Sequence, residues 1–134
     1  MAEMIKSNKF VAAISQVLDD YAVDVQKAVG SAVKKTGKKA LKVVREKAPV
    51  QSGEYKKNWR ATEIQGGAFG SQTSVVIHNK KDYRLVHLLE NGHQKSNGGR
   101  VEGIPHVRPA YEEAKRTLPV LTARAIEEAG NRGI

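Results

Sequence analysis

The sequence predicts an α+β fold: a long N-terminal helix, a small antiparallel β-sheet, a short central helix, and a C-terminal helix packed on the sheet. Apolar residues recur every three or four positions over the first third of the chain. Two segments of alternating or β-branched residues then flank the glycine-rich sequence GGAFG. A second helical repeat follows Pro109. At 134 residues the chain is most simply one domain, spanning 1–134.

The N-terminal helix is predicted over residues 7–48, after a flexible start at residues 1–6. Ser7 and Asn8 are of the residue types that cap helices, and Pro49 ends the repeat. The apolar positions that define the stripe are Phe10, Ile14, Val17, Leu18, Tyr21, Val25, Ala28, Val29, Ala32, Val33, Leu41, Val44 and Ala48.

Two glycines interrupt this helical repeat. Gly30 and Gly37 each cost about 1 kcal/mol inside a helix, so a bend or a break between two helices stays open. One continuous helix would be on the order of 55–60 Å long. A chain of this size cannot cover such a length, so we expect part of the helix to project or to contact another subunit.

The polar residues of the helix change sign along its length. Asp19, Asp20 and Asp24 make the first half acidic, and seven bases follow: Lys34, Lys35, Lys38, Lys39, Lys42, Arg45 and Lys47. Acids near the start and bases near the end agree with the helix dipole, so a solvated face is the simplest interpretation. Two others stay open: packing of the acidic half on a neighbour's basic half, and contact with a DNA channel or a neighbour through Lys34, Lys38, Lys42 and Arg45.

Residues 49–110 are predicted to hold the sheet, the central helix and a long loop. WRATEI alternates between apolar and polar residues, and SQTSVVIHN is rich in β-branched residues, so the two segments should pair antiparallel. The central helix follows from apolar spacing after Tyr83, and Asn91-Gly92 ends it. Glycines in the next segment favour a loop, although a third strand within Gly92–Gly103 stays open.

The C-terminal helix is predicted over residues 109–130, with Pro109 in its first turn. Pro119 lies within the repeat and deletes one backbone hydrogen bond, so we expect it to kink or split the helix.

Composition limits the possible partners and compartments. The formal charge of +9 suits an anionic partner such as nucleic acid, an acidic protein face or a lipid headgroup. The absence of cysteine excludes disulfides and thiolate metal sites. No apolar run approaches the roughly 18–20 residues of a membrane span, and MAEMIKSNKF lacks the apolar core of a signal peptide. We therefore expect a cytoplasmically made protein with no membrane partner.

No constellation of residues predicts catalysis, a cofactor or a metal. The four histidines, His78, His87, His93 and His106, show no spacing that places a pair on one helix face. Glu90 is expected to pair with Arg108 and to hold the ends of the long loop together. No serine has a base nearby in sequence, and no glycine-rich segment ends like a phosphate loop. We therefore predict no enzyme activity.

One aromatic cluster suggests an alternative function. Trp59 and Tyr55 lie among Lys56, Lys57 and Arg60, a pattern typical of single-strand nucleic-acid binders. A core tryptophan at the base of a hairpin is the simpler interpretation. The alternative function is thus a small basic nucleic-acid-binding protein.

Two stretches carry a resemblance to a known family. YRLVHLLENGH followed by GRVEGIPHVRPA, and APVQSGEYKKNW upstream, resemble the motifs of the gene-product-ten-like family of tailed-phage neck proteins, also called tail-completion or head–tail joining proteins. The matching motifs lie between Ala48 and Ala110, and the outer helices match only in kind. The family turn usually has an acidic residue and Thr where this chain has Gln51 and Ser52.

The resemblance implies a structural protein of the virion neck, made in the host cytoplasm. It implies a ring of this chain, six subunits in the particle, around a channel that passes DNA without sequence preference. Adjacent neck and tail proteins of the phage would be its partners. The loop 93–104 would be a docking arm that could order on assembly. Its predicted contact residues are His93, Gln94, Lys95, Arg100, Val101, Glu102, His106 and Arg108.

Overall fold

The computed structural model describes residues 2–50, 53–67 and 72–133. The helices are α1 (Ala2–Lys47), α2 (Glu54–Lys57), α3 (Val86–Asn91) and α4 (Val107–Gly133), and a 3-10 turn spans Tyr83–Leu85. The strands are β1 (Trp59–Gly66), β2 (Gln72–Asn79), β3 (Gly92–Gln94) and β4 (Arg100–Glu102). They form two antiparallel pairs, β1 with β2 and β3 with β4. The predicted α+β class is therefore confirmed, with one more hairpin than expected.

The C-terminal helix packs along α1 and not over a face of the sheet as predicted. Ala110, in its first turn, joins the core beside Val44. At its other end, a Cβ on Gly130 would lie 3.7 Å from the Tyr21 hydroxyl oxygen. The two helices are therefore antiparallel. The buried apolar residues of α4, Ala110 and Ala129, are alanines, whose small side chains let a second helix approach closely. Helix α1 is also the longer of the two.

Helix α1 is one uninterrupted helix of 46 residues. It begins at Ala2, so Ser7 and Asn8 lie inside it and do not cap it, and residues 2–6 belong to the helix. Gly30 and Gly37 do not break it into two helices. A Cβ on Gly30 would lie 2.9 Å from Thr73 Oγ1, and one on Gly37 would lie 2.6 Å from Val75 Cγ1. The two glycines therefore provide the space in which β2 crosses the helix.

Strands β1 and β2 pair in register from Trp59 opposite Asn79 to Gly66 opposite Gln72. The predicted strand pairing is thus confirmed. The end of the GGAFG connection, the predicted strand start at Ser71, and the turn at Gln51 and Ser52 lie outside the described residues.

The core is small and consists mainly of alanine. Its buried cluster contains Ala40, Val44, Ala48, Trp59 and Ala110. Trp59 is only 2% exposed, which confirms the core interpretation and leaves its ring unable to stack on a nucleobase.

Helix α4 continues through Pro119 without division. Pro119 cannot donate a hydrogen bond to the Lys115 carbonyl, and both residues are exposed. Water can therefore hydrate that carbonyl, which reduces the cost of the missing bond.

We predict that Gly37→Ala destabilises the protein although alanine favours helices by about 1 kcal/mol. The added methyl would overlap Val75, and such overpacking costs about 1–3 kcal/mol. Urea denaturation of four proteins measures the coupling: wild type, Gly37→Ala, Val75→Ala and the double variant. In the Val75→Ala background, Gly37→Ala should become neutral or stabilising. Equal effects in both backgrounds would show that the close approach is not the cause.

Candidate functional site

The long loop that the sequence predicted is a formed β-hairpin, which we call the arm hairpin (residues 92–102). His93 pairs with Val101 and Gln94 with Arg100. The turn is closed by Lys95 N–H donating to Gly99 O at 3.0 Å and by Gly98 N–H donating to Lys95 O at 3.2 Å. Every residue from 94 to 102 is exposed. The arm hairpin therefore projects from the domain with a defined backbone shape.

Two glycines allow the base of the arm hairpin to close. Gly92 has a φ of +80°, and a Cβ there would lie 2.3 Å from the Val101 carbonyl oxygen. A Cβ on Gly103 would lie 2.4 Å from the Glu90 carbonyl oxygen. Only residues without a side chain permit these two backbone segments to approach so closely. The incoming and outgoing strands therefore pack backbone against backbone.

Further hydrogen bonds tie this base to the end of α3. Ile104 N–H donates to Leu89 O at 2.8 Å. The Arg100 guanidinium donates to Asn91 O at 2.7 Å. Both acceptors are carbonyls in the last turn of a helix, which have no partner within the helix itself. The arm hairpin thus completes the C-terminus of α3.

The Glu90 carboxylate caps the N-terminus of α4 from another helix. It accepts hydrogen bonds from the backbone N–H of His106 at 2.7 Å, of Val107 at 2.6 Å and of Arg108 at 3.0 Å. The fourth residue of that turn, Pro109, has no N–H. Because the first four donors of a helix lack partners within the helix, one carboxylate here satisfies every donor that exists. Its negative charge also lies at the positive end of the helix dipole.

The sequence prediction found the right glutamate and a different partner. Glu90 does hold the two ends of the segment together, but it binds the backbone N–H of Arg108, and no ion pair with that guanidinium occurs in the described residues. The sequence prediction assumed an ion pair between two charged side chains. The signal in the sequence was Pro109, which marks the third residue of a helix and leaves three donors for an external acceptor.

His106 connects this cap to the core. Its side chain is fully buried; Nδ1 lies 2.6 Å from the Ile104 carbonyl oxygen and Nε2 lies 2.5 Å from the Tyr55 hydroxyl oxygen. Both contacts are satisfied when Nδ1 donates to Ile104 and Nε2 accepts from Tyr55. The rings of Tyr55, Trp59 and His106 contact one another edge to face, with centroids 5.4–5.8 Å apart. Sequence reasoning did not assign Tyr55 this role.

Burial sets the ionisation of Tyr55. Its surroundings raise the pKa of the Tyr55 phenol to about 12, first through loss of hydration and then through the negative charges of Glu90 and Asp82. The phenol therefore stays a hydrogen-bond donor to His106 well above neutral pH.

The structure separates the predicted contact residues into two groups. His93 is half-buried, and its Nδ1 has no hydrogen-bond partner in the described part of the chain. His106 is buried and supports the arm hairpin from inside. The exposed members are Gln94, Lys95, Arg100, Val101, Glu102 and Arg108. A role of these residues in binding a partner stays a prediction.

The predicted basic face of α1 is partly used within the subunit. Lys34 lies 3.7 Å from the Glu63 carboxylate on β1. Arg45 donates to the Trp59 carbonyl at 2.6 Å. Lys38 and Lys42 lie between them on the helix and are exposed. Two of these four bases therefore hold α1 against β1, and two remain available to solvent.

Other sites offer little chemistry. A cavity of about 640 Å³ between α1 and α4 is lined by both acids and bases, including Asp24, Lys27, Arg124 and Glu128. No group of three or more metal-ligating side chains occurs among residues 2–50, 53–67 and 72–133. Within the same ranges, no helix combines the length and apolarity required to cross a membrane.

We predict that Glu90→Ala lowers the free energy of unfolding by about 2–3 kcal/mol, because it leaves three helix N-terminal donors without their charged acceptor. Glu90→Gln should retain part of the bonding and cost less. Glu102→Ala is the matched control, since the Glu102 side chain is 87% exposed and its loss should fall within about 0.5 kcal/mol. Urea denaturation measures all three. Equal effects of Glu90→Ala and Glu102→Ala would contradict the cap.

We also predict a specific pH dependence for Tyr55→Phe. The pKa of Tyr55 is about 12 in the folded chain and about 10 when unfolded. Between these values the unfolded chain ionises first, so wild type loses stability as pH rises from 10 to 12. Phenylalanine cannot ionise, so the Tm difference between wild type and Tyr55→Phe should shrink over this range. Tyr111→Phe is the control at an exposed tyrosine. A constant difference would contradict the burial of the phenol.

Comparison with known proteins gives one match. The sequence model of the family described as "Bacteriophage HK97-gp10, putative tail-component" matches residues 12–92, more than half of the chain. No curated protein matches significantly. No solved structure matches significantly.

The matched range differs from the motifs that first suggested the family. It includes most of α1, which resembled the family only in kind, and it ends at Gly92, the first residue of the arm hairpin. The part that this chain shares with the family model is therefore most of α1, the β1–β2 sheet and α3. The arm hairpin and α4 follow it in the sequence. On this match, the chain belongs to the HK97-gp10-like family of bacteriophage tail components.

Proposed function

We propose that this tail component acts at the neck of a long-tailed phage, where it completes the tail and joins it to the head. In this proposal the chain forms a ring, with six subunits in the particle, around the channel that passes DNA. The protein is made in the host cytoplasm and resides in the neck or tail of the virion. The arm hairpin docks on an adjacent neck or tail protein, through the exposed contact residues named above.

One observation carries this proposal: the arm hairpin is exposed along residues 94–102, while backbone contacts and hydrogen bonds to the end of α3 hold its base in place. Glu90, Gly92 and Gly103 fix the direction in which it leaves the domain. An exposed hairpin with defined strands can present both side chains and backbone edges to a partner. The sequence suggested an arm that orders on contact, whereas this arm has its strands already formed, which reduces the entropy lost on docking.

The alternative, a small basic nucleic-acid-binding protein, has weaker support. Trp59 is buried, which removes the stacking platform on which that interpretation depended. Lys34 and Arg45 are engaged within the subunit. The exposed Lys38 and Lys42 suit diffuse attraction to DNA in a channel, because they offer charge without a means to read bases.

We predict that shortening the arm hairpin preserves the fold and blocks joining. Gln94 pairs with Arg100, so the five residues between them can be replaced by Asn-Gly, which forms the two-residue turn that suits an antiparallel pair. The variant should melt as wild type does. In a phage that lacks the native gene, it should leave separate heads and tails in electron micrographs, whereas wild type restores joined particles.

Two results would count against the proposed function. Joined, infective particles from the shortened variant would show that the tip of the arm hairpin, residues 95–99, is not needed for docking. A monomer that binds duplex DNA tightly, with affinity falling steeply as salt rises, would favour the nucleic-acid-binding alternative.

A further inference from the structure

The N-terminal half of α1 exposes a row of apolar side chains. Val11, Ile14 and Leu18 are 61%, 44% and 60% exposed, and we call them the N-terminal stripe. Their spacing of three and four continues along α1 through Tyr21, Ala28 and Ala32, which lie beside α4. Helix α4 ends close to Tyr21, so the seam between the two helices continues past the point where α4 stops. The N-terminal stripe thus has the spacing of a helix interface without a covering helix in the described residues.

A concave apolar surface lies at the other end of the molecule. This cavity of about 420 Å³, which we call the Trp59 groove, lies between β2, α3 and the first turns of α4. Its lining includes Val44, Trp59, Ile77, Val86, Ala110 and Tyr111. Trp59 is almost completely buried, yet its Nε1 has no hydrogen-bond partner among the described residues. Tyr83 and Tyr111, at the rim, are 60% and 62% exposed. Such a groove can accept the apolar face of a helix.

The N-terminal stripe cannot reach the Trp59 groove of its own chain. Leu18 and Val44 belong to the same uninterrupted helix. Their separation in sequence corresponds to roughly 40 Å along the axis, at about 1.5 Å per residue. Because one uninterrupted helix carries both features, any contact between them must join two copies of the chain.

The charges around the two surfaces are opposite. Residues 11–26 of α1, which contain the N-terminal stripe, carry three aspartates and no base. Asp19 follows Leu18 directly, whereas Asp20 lies on the opposite side of the helix. At the rim of the groove, the Arg84 guanidinium lies 5.6 Å from the centroid of the Tyr83 ring. Arg108 and Lys115 lie three residues before and four residues after Tyr111 and therefore on its side of α4, where Glu112 offsets only part of their charge. A stripe paired with a second stripe would instead bring like charges together.

We infer that the N-terminal stripe of one subunit docks in the Trp59 groove of the next. This inference rests on the proposed ring and names the surfaces that build it. A contact between two different surfaces leaves one of each free after every addition, so it closes a ring or extends a filament. It also places the apolar side chains of α1 in a groove that is lined by core residues such as Val44, Trp59 and Ala110.

The test uses four single variants of the full chain. Leu18→Asp disrupts the stripe, and Val23→Asp is its control, since Val23 is 46% exposed on the opposite side of α1. Tyr111→Glu disrupts the groove, and Val120→Glu is its control, since Val120 is 55% exposed on the opposite side of α4. Sedimentation velocity measures mass over a range of concentrations, and thermal melting verifies that each variant is folded.

We expect Leu18→Asp and Tyr111→Glu to weaken self-association by at least about tenfold, while both controls behave as wild type. An equimolar mixture of the two disrupted variants should form dimers and nothing larger, because each retains one intact surface. The fluorescence of Trp59, the single tryptophan of the chain, should shift on mixing and thus report on the groove itself.

Three outcomes would overturn the inference in different ways. If Tyr111→Glu associates as wild type does while Leu18→Asp does not, the stripes pair with each other, and the ring of the proposed function survives. If wild type stays a monomer at every concentration, both the docking contact and the ring are wrong. Full association of Leu18→Asp would show that the N-terminal stripe is not a contact surface. The proposed ring would then have to form through other surfaces.

Discussion

The carboxylate of Glu90 determines how the second half of this chain is arranged. It lies at the end of α3 and accepts the three N–H groups with which α4 begins. Between these two points the chain leaves as β3 and returns as β4. The 11 residues of the arm hairpin therefore start and finish at one fixed position, and the hairpin needs no packing of its own to keep its direction. His106 extends the same connection inward: its ring hydrogen-bonds to Tyr55 and contacts the Trp59 ring edge to face, so the arm and the core are in direct contact.

Close backbone approach is the second constraint, and it explains glycines that appear unfavourable in the sequence. Gly37 weakens the helix as an isolated element, yet it gives Val75 the space to lie against α1. Gly92 and Gly103 do the same for the two strands at the base of the arm hairpin. In each case the cost in local propensity is offset by contacts that a side chain would prevent. A propensity scale records only the cost, because it describes an element without its neighbours.

Local periodicity was enough to predict the long helix, the β1–β2 pair and the short central helix. Each depends on residues that are near one another in sequence, such as the alternation in WRATEI. The arm hairpin was predicted as a loop because its strands are three residues each, too short to show a period. The position of α4 could not be predicted, since its alanines suit a helix neighbour and a sheet neighbour equally. For the site, the sequence predicted that Glu90 holds the two ends of the segment together, but not which groups it binds. Backbone N–H groups are present at every residue except proline, so only Pro109 indicated where the donors lie.

Because the core is small and α1 is long, the proposed assembly affects the stability of the subunit as well as its function. Among the described residues, Val44 and His106 are the largest side chains that are completely buried, while Leu18, Ile64, Val101 and Tyr111 are largely or partly in water. A chain that buries mainly alanine gains little from its own core. Because α1 is a single helix, it cannot fold back to cover its own apolar end. In the assembly proposed above, other subunits or other virion proteins would bury these surfaces, and their binding to the folded chain would add to its stability.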